Sequence, residues 1–302
     1  MQKIFIAYGS GAYLQSLRRI SKEAKKLGIF SKVITYTEKD MPPFIKSSPL
    51  KAYPNGNGYW IWKPYIIWKT MDEYPNSIVV YADCGCTLRP KMEEWNYWFS
   101  IMETYDTITF QYRKEEVYMW EDLEKNRRTT NLEWCKQSFI DYFEPMMGRE
   151  WLSEQQCMSG VVLACRHSIL IKMWMDISLY RQDLLMDSFG ADLYNPHPMF
   201  RQHRRDQSLC SALSMYWRNQ PGNVVKVLPE TAESQVDTAA IGATRICRLS
   251  NPVPLKTRYI RWLKLKFGDR AYQKWHEKLK DNSFVKRIVL RIEHVGAQEF
   301  RN

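Results

Sequence analysis

Short apolar runs alternate with amphipathic stretches along about the first 230 residues, and this alternation predicts an α/β fold. Residues 3–8 and 32–36 are apolar enough to form buried strands. Residues 13–27, between them, carry apolar side chains at helical spacing and are followed by Gly28, a typical helix terminator. A strand, a helix and a strand in this order predict parallel pairing through a right-handed crossover.

Further strand-like and helical patterns follow, so the predicted sheet is mixed, mostly parallel and flanked by helices, as in Rossmann-like folds. The later predicted strands are residues 78–82, 107–111, 157–164 and 224–228. The later predicted helices are residues 58–73, 89–105, 167–187 and 207–219. Residues 37–57 predict a long loop, and residues 113–150 predict a mostly helical insertion or lid. Leu14 stands where the dinucleotide fingerprint G-x-G-x-x-G needs its third glycine, which disfavours a Rossmann dehydrogenase.

The run from Ile78 to Cys86 is the centre of the functional hypothesis. It begins as a strand buried on both faces and then places one carboxylate, Asp83, in a turn that contains Gly85. In open α/β sheets the carboxyl ends of the strands leave a crevice in which ligands bind. We therefore predict that Asp83 belongs to a metal- and diphosphate-binding turn of a sugar-nucleotide enzyme. Capping of the next helix is the structural alternative.

The chemistry of such a turn requires positive charge beside the diphosphate. Mn²⁺ and Mg²⁺ prefer hard oxygen ligands, such as a carboxylate together with phosphate oxygens. The usual motif is D-x-D, and Gly85 takes the place of its second acid here. We predict a Mn²⁺ or Mg²⁺ site with Asp83 and the later His203 as ligands. Lysine and arginine side chains in place of the metal are the alternative.

A tryptophan-rich segment before this strand supplies candidates for donor binding. Tyr59, Trp62 and Lys63 lie near the start of a predicted helix, where aromatic packing beneath the sheet is the structural alternative. Lys63 is a poor core residue and a candidate ligand of phosphate. Tyr8 and Gly9, at the end of the first strand, complete the donor-binding candidates of the N-terminal half.

Gln156 and Gly160 are candidates from the strand at residues 157–164 and its entry. Gly160 has no side chain, so the backbone there can approach a donor sugar closely. An ordinary strand entry is the alternative explanation of both residues.

Residues 203–207 gather charged side chains at the start of a predicted helix. Arg204 and Arg205 precede Asp206, and a helix N-terminus favours anions. We predict that the two arginines bind the donor and that Asp206 is catalytic, serving as the general base if the reaction inverts configuration. Simple capping of the helix by Asp206 is the alternative.

The charge of the chain favours an anionic partner. Its formal net charge is +11, and residues 256–291 contribute much of the excess. A solvated surface, a nucleic-acid patch and an interfacial helix are three explanations of this basic tail. Trp262 and Phe267 among its lysines and arginines favour an anionic membrane surface, and no nucleic-acid motif is present.

The cysteine pattern and the apolar runs indicate in which cellular compartment the protein is expected. Seven cysteines without a regular spacing indicate free thiols in a reducing cytoplasm. We recognise no signal peptide, and no apolar run approaches the ~20 residues of a membrane span. We therefore expect a cytoplasmic protein, with its basic tail as a peripheral contact to the inner face of the membrane.

Three motifs together resemble a family of bacterial and viral glycosyltransferases from capsule and surface-polysaccharide loci. They are Gly58-Tyr59-Trp60-Ile61-Trp62-Lys63-Pro64, Tyr81-Ala82-Asp83-Cys84-Gly85-Cys86 and His203-Arg204-Arg205-Asp206-Gln207-Ser208. The similarity covers about residues 3–230 and implies a GT-A fold, which we assign to residues 1–250, followed by a basic aromatic helical tail over residues 251–302. It also implies a nucleotide-sugar donor, with Asp83 near the metal or the diphosphate. Asp206 would face the donor sugar or the acceptor.

The sequence therefore predicts transfer of a sugar from a nucleoside diphosphate to a glycan or lipid-linked acceptor. The alternative is a non-catalytic carbohydrate- or membrane-binding protein that has lost a metal-binding acid, which the presence of Gly85 favours. A nucleotidyltransferase is less well supported, because the loop of residues 9–11 has no cation close to it.

Overall fold

The computed structural model describes residues 1–52, 56–116, 129–187, 197–222 and 224–246. The basic tail over residues 251–302 lies outside the described residues, so the division at residue 250 and the membrane contact stay predictions. No helix in the described ranges is long and apolar enough to cross a membrane. Six cysteines lie in the described part, and all six are buried free thiols.

The strands and helices follow one another in an alternating α/β order. The strands are β1 (Gln2–Tyr8), β2 (Lys32–Tyr36), β3 (Ser77–Ala82), β4 (Thr87–Leu88), β5 (Thr107–Gln111), β6 (Cys157–Ala164), β7 (Val225–Pro229) and β8 (Ile241–Gly242). The helices are α1 (Leu14–Leu27), α2 (Pro43–Lys46), α3 (Gly56–Tyr59), α4 (Trp62–Glu73), α5 (Met92–Ile101), α6 (Asn131–Trp134), α7 (Gln137–Met147), α8 (Ile169–Tyr180) and α9 (Asp206–Arg218).

Six strands form one mixed sheet in the order β2-β1-β3-β6-β5-β7. β1 pairs in parallel with β2 and β3, and β5 pairs in parallel with β7. β6 is antiparallel to both of its neighbours, β3 and β5. The predicted mixed, mostly parallel sheet flanked by helices is therefore confirmed. β4 and β8 form a separate two-stranded antiparallel sheet.

The sheet separates two hydrophobic cores. Ile4 and Ile6 of β1 pack on one face with helices α4, α7, α8 and α9. Phe5 and Ala7, which alternate with them, pack on the other face with α1 and α5. Every residue of β3 is buried, because helices cover both faces of the sheet at this central strand.

The direction of β6 decides which chain ends meet at one edge of the sheet. Because β6 runs against the other five strands, its amino end lies beside the carboxyl ends of β3 and β5. Asp83 follows β3 and Tyr112 follows β5, while Gln156 precedes β6. These three residues therefore lie along the same edge.

The predicted helix over residues 58–73 begins later, at Trp62, because the backbone before it is left-handed. Positive φ angles between 52° and 92° occur at five consecutive residues, namely Gly56, Asn57, Gly58, Tyr59 and Trp60. A left-handed conformation costs roughly 1–2 kcal/mol for each residue that carries a Cβ. Contacts must offset this cost, and one of them is a 2.9 Å hydrogen bond from Trp62 Nε1 to the Gly56 carbonyl. Hydrophobic periodicity alone does not reveal such a turn.

The core on the α8 face can be tested with a matched pair of substitutions. Trp174 of α8 is fully buried, whereas Tyr180 of the same helix is 82% exposed. We expect Trp174→Ala to lower the free energy of unfolding by about 3–5 kcal/mol, because it leaves a cavity. Tyr180→Ala should change it by no more than about 0.5 kcal/mol. Urea unfolding measures both, and equal effects would contradict the assigned orientation of α8.

Candidate functional site

A buried lysine joins the three sequence motifs in one polar cluster. Lys63 Nζ lies 2.7 Å from Asp206 Oδ2 and donates a 3.1 Å hydrogen bond to Ser159 Oγ. It also lies 3.5 Å from Asp83 Oδ1. Ser159 Oγ in turn donates to Asp206 Oδ2 at 2.8 Å. Lys63 and Asp206 are 143 positions apart, so the fold, not local sequence, creates this cluster.

The elements that bring these side chains together meet at the edge defined above. Lys63 is in the first turn of α4 and Asp206 is the first residue of α9, and both helices pack on the same face of the sheet. Ser159 lies on β6, and Asp83 directly follows β3. Ser159 was missed by the sequence analysis, because a serine inside an apolar strand has no distinguishing pattern.

Charge pairing keeps Lys63 ionised despite its burial. Its side chain is 2% exposed, and burial alone would lower the pKa of the ammonium group. The carboxylates of Asp206 and Asp83 outweigh this effect, so the pKa of Lys63 is raised. Burial raises the pKa of the Asp206 carboxyl above its ordinary value, against the opposing attraction of Lys63 and the hydrogen bond from Ser159. The cluster is thus a compensated ion network beneath the sheet edge.

Asp83 is the accessible member of the network. Its side chain is 43% exposed, and its Oδ1 accepts a short hydrogen bond from the Tyr81 hydroxyl. A Cβ at Gly160 would lie 3.1 Å from Asp83 Oδ2, so a side chain there would crowd the carboxylate. Gly160 therefore makes room for Asp83. Its predicted contact with a donor sugar is not tested by this geometry.

The turn after Asp83 is fixed by hydrogen bonds from distant residues. Arg19 donates to the carbonyls of Cys84 and Cys86 at 3.0 and 2.7 Å. Thr244 Oγ1 donates to the Gly85 carbonyl at 3.1 Å. The next helix, α5, begins only at Met92. Asp83 is therefore not a helix cap, and the turn holds its carboxylate in a defined place.

Asp206 does not cap the helix that it begins, because the residue at the cap position is Arg205. The residue before α9, Arg205, makes no side-chain cap, and the Asp206 carboxylate instead accepts hydrogen bonds from Lys63 and Ser159. The Asp206 side chain is 7% exposed. The carboxylate is thus buried and bound to Lys63 and Ser159, and the catalytic role of Asp206 stays a prediction.

His203 is a structural residue, which corrects its predicted role as a metal ligand. Its Nε2 lies 2.7 Å from the Leu184 carbonyl, and its Nδ1 accepts a 3.4 Å hydrogen bond from the Lys136 backbone N–H. The ring also packs against Phe139 at a centroid distance of 5.2 Å. Both nitrogens are occupied and the residue is buried, so no lone pair is available to a metal.

Gln156 and Gly9 also have structural explanations. Gln156 is buried, and its Oε1 accepts a 2.8 Å hydrogen bond from Gln207 Nε2, which ties β6 to α9. A Cβ at Gly9 would lie 2.9 Å from the Cβ of Leu17, so glycine permits close packing of α1 against the end of β1. Neither residue shows a surface that a donor could contact.

The aromatic candidates are engaged with one another. The rings of Tyr8 and Trp62 stack with centroids 3.8 Å apart. Tyr59 donates a 3.0 Å hydrogen bond to Asp187 Oδ2. Asp187, which the sequence analysis missed, also binds Arg205 through two hydrogen bonds of 2.9 and 3.1 Å. The tryptophan-rich segment and the segment over residues 203–207 are therefore linked here as well as at Lys63.

The donor atoms around Asp83 do not fit a resident divalent cation. Within the described ranges no group of three or more histidine, cysteine, aspartate or glutamate side chains could hold a metal ion. Asp83 Oδ1 already accepts a hydrogen bond from the Tyr81 hydroxyl and lies 3.5 Å from the Lys63 ammonium group. One carboxylate with a competing cation is a weaker donor set than the D-x-D pattern would provide. The predicted Mn²⁺ or Mg²⁺ site therefore has no support in the donor set of the described residues.

Comparisons with known proteins give similarity in fold only. No protein-family model and no curated protein matches the chain. It is similar to mouse xyloside xylosyltransferase 1, with a TM-score of 0.39 and 14% identity over 76% of this chain and 85% of that chain. It is similar to a glycosyltransferase involved in glycosylation of the major capsid of PBCV-1, with a TM-score of 0.35 and 8% identity over 65% and 75%. The third is glucosyl-3-phosphoglycerate synthase from Mycobacterium tuberculosis in complex with Mn²⁺, UDP-glucose and phosphoglyceric acid. It has a TM-score of 0.37 and 11% identity over 76% and 69%.

The role of His203 predicts a pH dependence of stability. Burial lowers the pKa of His203 from 6.5 to about 3. Below pH 6.5 the unfolded chain takes up a proton that the folded protein excludes, so the stability present above that pH is lost as the pH falls. The free energy of unfolding should drop by about 3 kcal/mol between pH 7 and pH 4 through this group.

Urea unfolding from pH 4 to pH 7 measures this slope in the wild type and in His203→Gln. Glutamine can still donate a hydrogen bond to the Leu184 carbonyl but does not titrate, so the variant should lose most of the slope. An unchanged slope would show that His203 is not the buried neutral group described above.

Proposed function

We propose that this protein is a glycosyltransferase that moves a sugar from a nucleoside diphosphate sugar to a hydroxyl group of a glycan or lipid-linked acceptor. The observation that carries the proposal is the convergence of Lys63, Asp83 and Asp206 at the carboxyl end of β3. Ligands of open α/β sheets bind at this end. Of the three charged groups, Asp83 has the most accessible side chain, which is 43% exposed.

The proposed reaction assigns Asp83 to the reacting centre. The bond between the anomeric carbon and the diphosphate oxygen breaks, and its electron pair leaves with the diphosphate. The acceptor oxygen forms the new bond to the anomeric carbon and loses its proton. Asp83 is the carboxylate that can stabilise the positive charge that develops on the sugar, or receive that proton. Its hydrogen bond from Tyr81 holds one oxygen, which leaves Oδ2 beside Gly160.

The remaining network supports Asp83 without touching the substrate. Lys63 is held by Asp206 and Ser159, so its ammonium group stays fixed 3.5 Å from the Asp83 carboxylate. A fixed charge stabilises the transition state more than a mobile one, because the charge does not have to reorient during the reaction. A role in surface-polysaccharide synthesis is part of the proposal. It rests on the resemblance of the three sequence motifs alone.

A test of the proposal is the activity of Asp83→Asn. Release of nucleoside diphosphate from UDP-, GDP-, CDP- and dTDP-sugars is measured with monosaccharides and water as acceptors. The variant keeps an oxygen that can accept from Tyr81 but lacks the negative charge. We expect turnover to fall at least about a hundredfold. Because the Asp83 side chain is 43% exposed and Lys63 keeps its closer partner Asp206, the midpoint of thermal unfolding should change little.

The matched control is Asp176→Asn, which removes an exposed carboxylate that pairs with Lys172 on α8. It should retain full turnover. Full turnover in Asp83→Asn would refute the assignment of the site. Absence of both binding and turnover with every nucleotide sugar, in the wild type, would favour a non-catalytic binding protein.

A further inference from the structure

Two arginines are held on one indole ring near the edge of the sheet that carries Asp83. The guanidinium carbon of Arg204 lies 3.8 Å from the centroid of the Trp134 ring, and that of Arg201 lies 4.7 Å from the same centroid. The backbone N–H of Arg204 also donates to the Trp134 carbonyl at 3.1 Å. Like charges repel, so this concentration of positive charge favours a nearby anion.

Arg204 has no acidic partner within the described residues, unlike its neighbours. Its Nε is buried and makes no hydrogen bond. Arg205, next in sequence, is bound by Asp187, and Arg245 pairs with Glu233. Burial lowers the pKa of Arg204, and the nearby Arg245, Arg201 and Arg205 lower it further, while Tyr112 opposes them. A partly buried guanidinium group without an acidic partner has an unfavourable desolvation free energy. A bound anion would offset it.

Arg245 connects this arginine cluster to the Asp83 turn. A Cβ at Gly85 would lie 3.5 Å from the Arg245 Cα, and the next residue, Ile246, donates its N–H to the Gly85 carbonyl at 3.0 Å. Arg245 therefore lies against the turn that holds Asp83. Arg245 pairs with Glu233, and its side chain is 63% exposed and therefore accessible from solvent.

We propose that Arg204, together with Arg245, binds the diphosphate group of the donor and supplies the positive charge that a divalent cation supplies in D-x-D sites. The inference rests on the proposed function and names how its leaving group is neutralised. Guanidinium groups match phosphate oxygens in a two-pronged hydrogen bond, and a diphosphate offers enough oxygens for both arginines. The donor set at Asp83, a single carboxylate beside Lys63, supplies no competing metal site in the described part of the chain.

During transfer, the electron pair of the broken bond remains on the diphosphate, and the two arginines stabilise the resulting negative charge. No metal ion or other co-reactant is needed in this scheme. In this scheme Asp83 acts on the sugar, and the two arginines bind the leaving diphosphate. The two kinds of charge along the edge of the sheet therefore serve the two parts of the donor.

Titration calorimetry with nucleotides in the presence of EDTA tests this inference. The probes are UDP, GDP, CDP and ADP, with UMP, GMP and inorganic phosphate as comparisons. We expect one of the diphosphates to bind the wild type without metal and more tightly than its monophosphate. Arg204→Gln should weaken that binding roughly tenfold to a hundredfold, because a charge-assisted hydrogen bond is lost. Arg204→Lys, which keeps the charge but not the fork, should lose less.

The matched control is Arg149→Gln, which removes an exposed arginine paired with Glu144 and should leave the affinity unchanged. Binding that requires Mn²⁺ or Mg²⁺ and is unaffected by Arg204→Gln would overturn the inference and leave the proposed function standing. Binding of inorganic phosphate that depends on Arg204, with diphosphate binding that does not, would assign the cluster to an anionic acceptor and also overturn it. No binding of any nucleotide under either condition would refute the proposed function, and the inference with it.

Discussion

The ion pair between Lys63 and Asp206 is the constraint on which the site depends. Moving two charges out of water costs several kcal/mol for each ion, and the attraction between them offsets that cost only when the geometry is favourable. Here the two side chains are 2.7 Å apart, and Ser159 donates a hydrogen bond to the carboxylate. Because either charge alone would be strongly unfavourable in this position, the pair fixes α4 against α9. That in turn fixes the distance from Lys63 to Asp83.

The placement of charge divides the sheet edge into two parts. Asp83 is a half-buried carboxylate that accepts a hydrogen bond from Tyr81 and lies 3.5 Å from the Lys63 ammonium group. Arg245 brings positive charge to the Asp83 turn from the segment after β8, and Arg204, in the loop before α9, lies on the Trp134 ring. A substrate with a sugar at one end and a diphosphate at the other has the matching distribution. This correspondence is the reason for which we propose a nucleotide sugar as the ligand.

The alternation of strands and helices was predictable from the sequence, because burial on one or both faces leaves a period in the apolar residues. Asp83 could be placed at the end of a strand for the same reason. The partners of Lys63 could not be predicted, since the contact with Asp206 joins residues 143 positions apart. His203 shows the opposite case. Histidine beside two arginines and an acid suggests a ligand, but only the fold shows that the Leu184 carbonyl and the Lys136 N–H occupy its ring nitrogens. The left-handed turn before Trp62 escaped prediction because apolar spacing does not report the sign of φ.

A double-mutant cycle on Lys63 and Asp206 tests the central claim most directly. The free energy of unfolding is measured for the wild type, Lys63→Met, Asp206→Leu and the double variant in urea at pH 7. Each single substitution should cost about 3–5 kcal/mol, because it strands a buried charge. In the double variant the free energy of unfolding should fall by less than the sum of the two single-variant decreases, and the difference should be at least about 2 kcal/mol. Costs that add within about 0.5 kcal/mol would show that the two side chains do not interact, and would contradict the proposed architecture of the site.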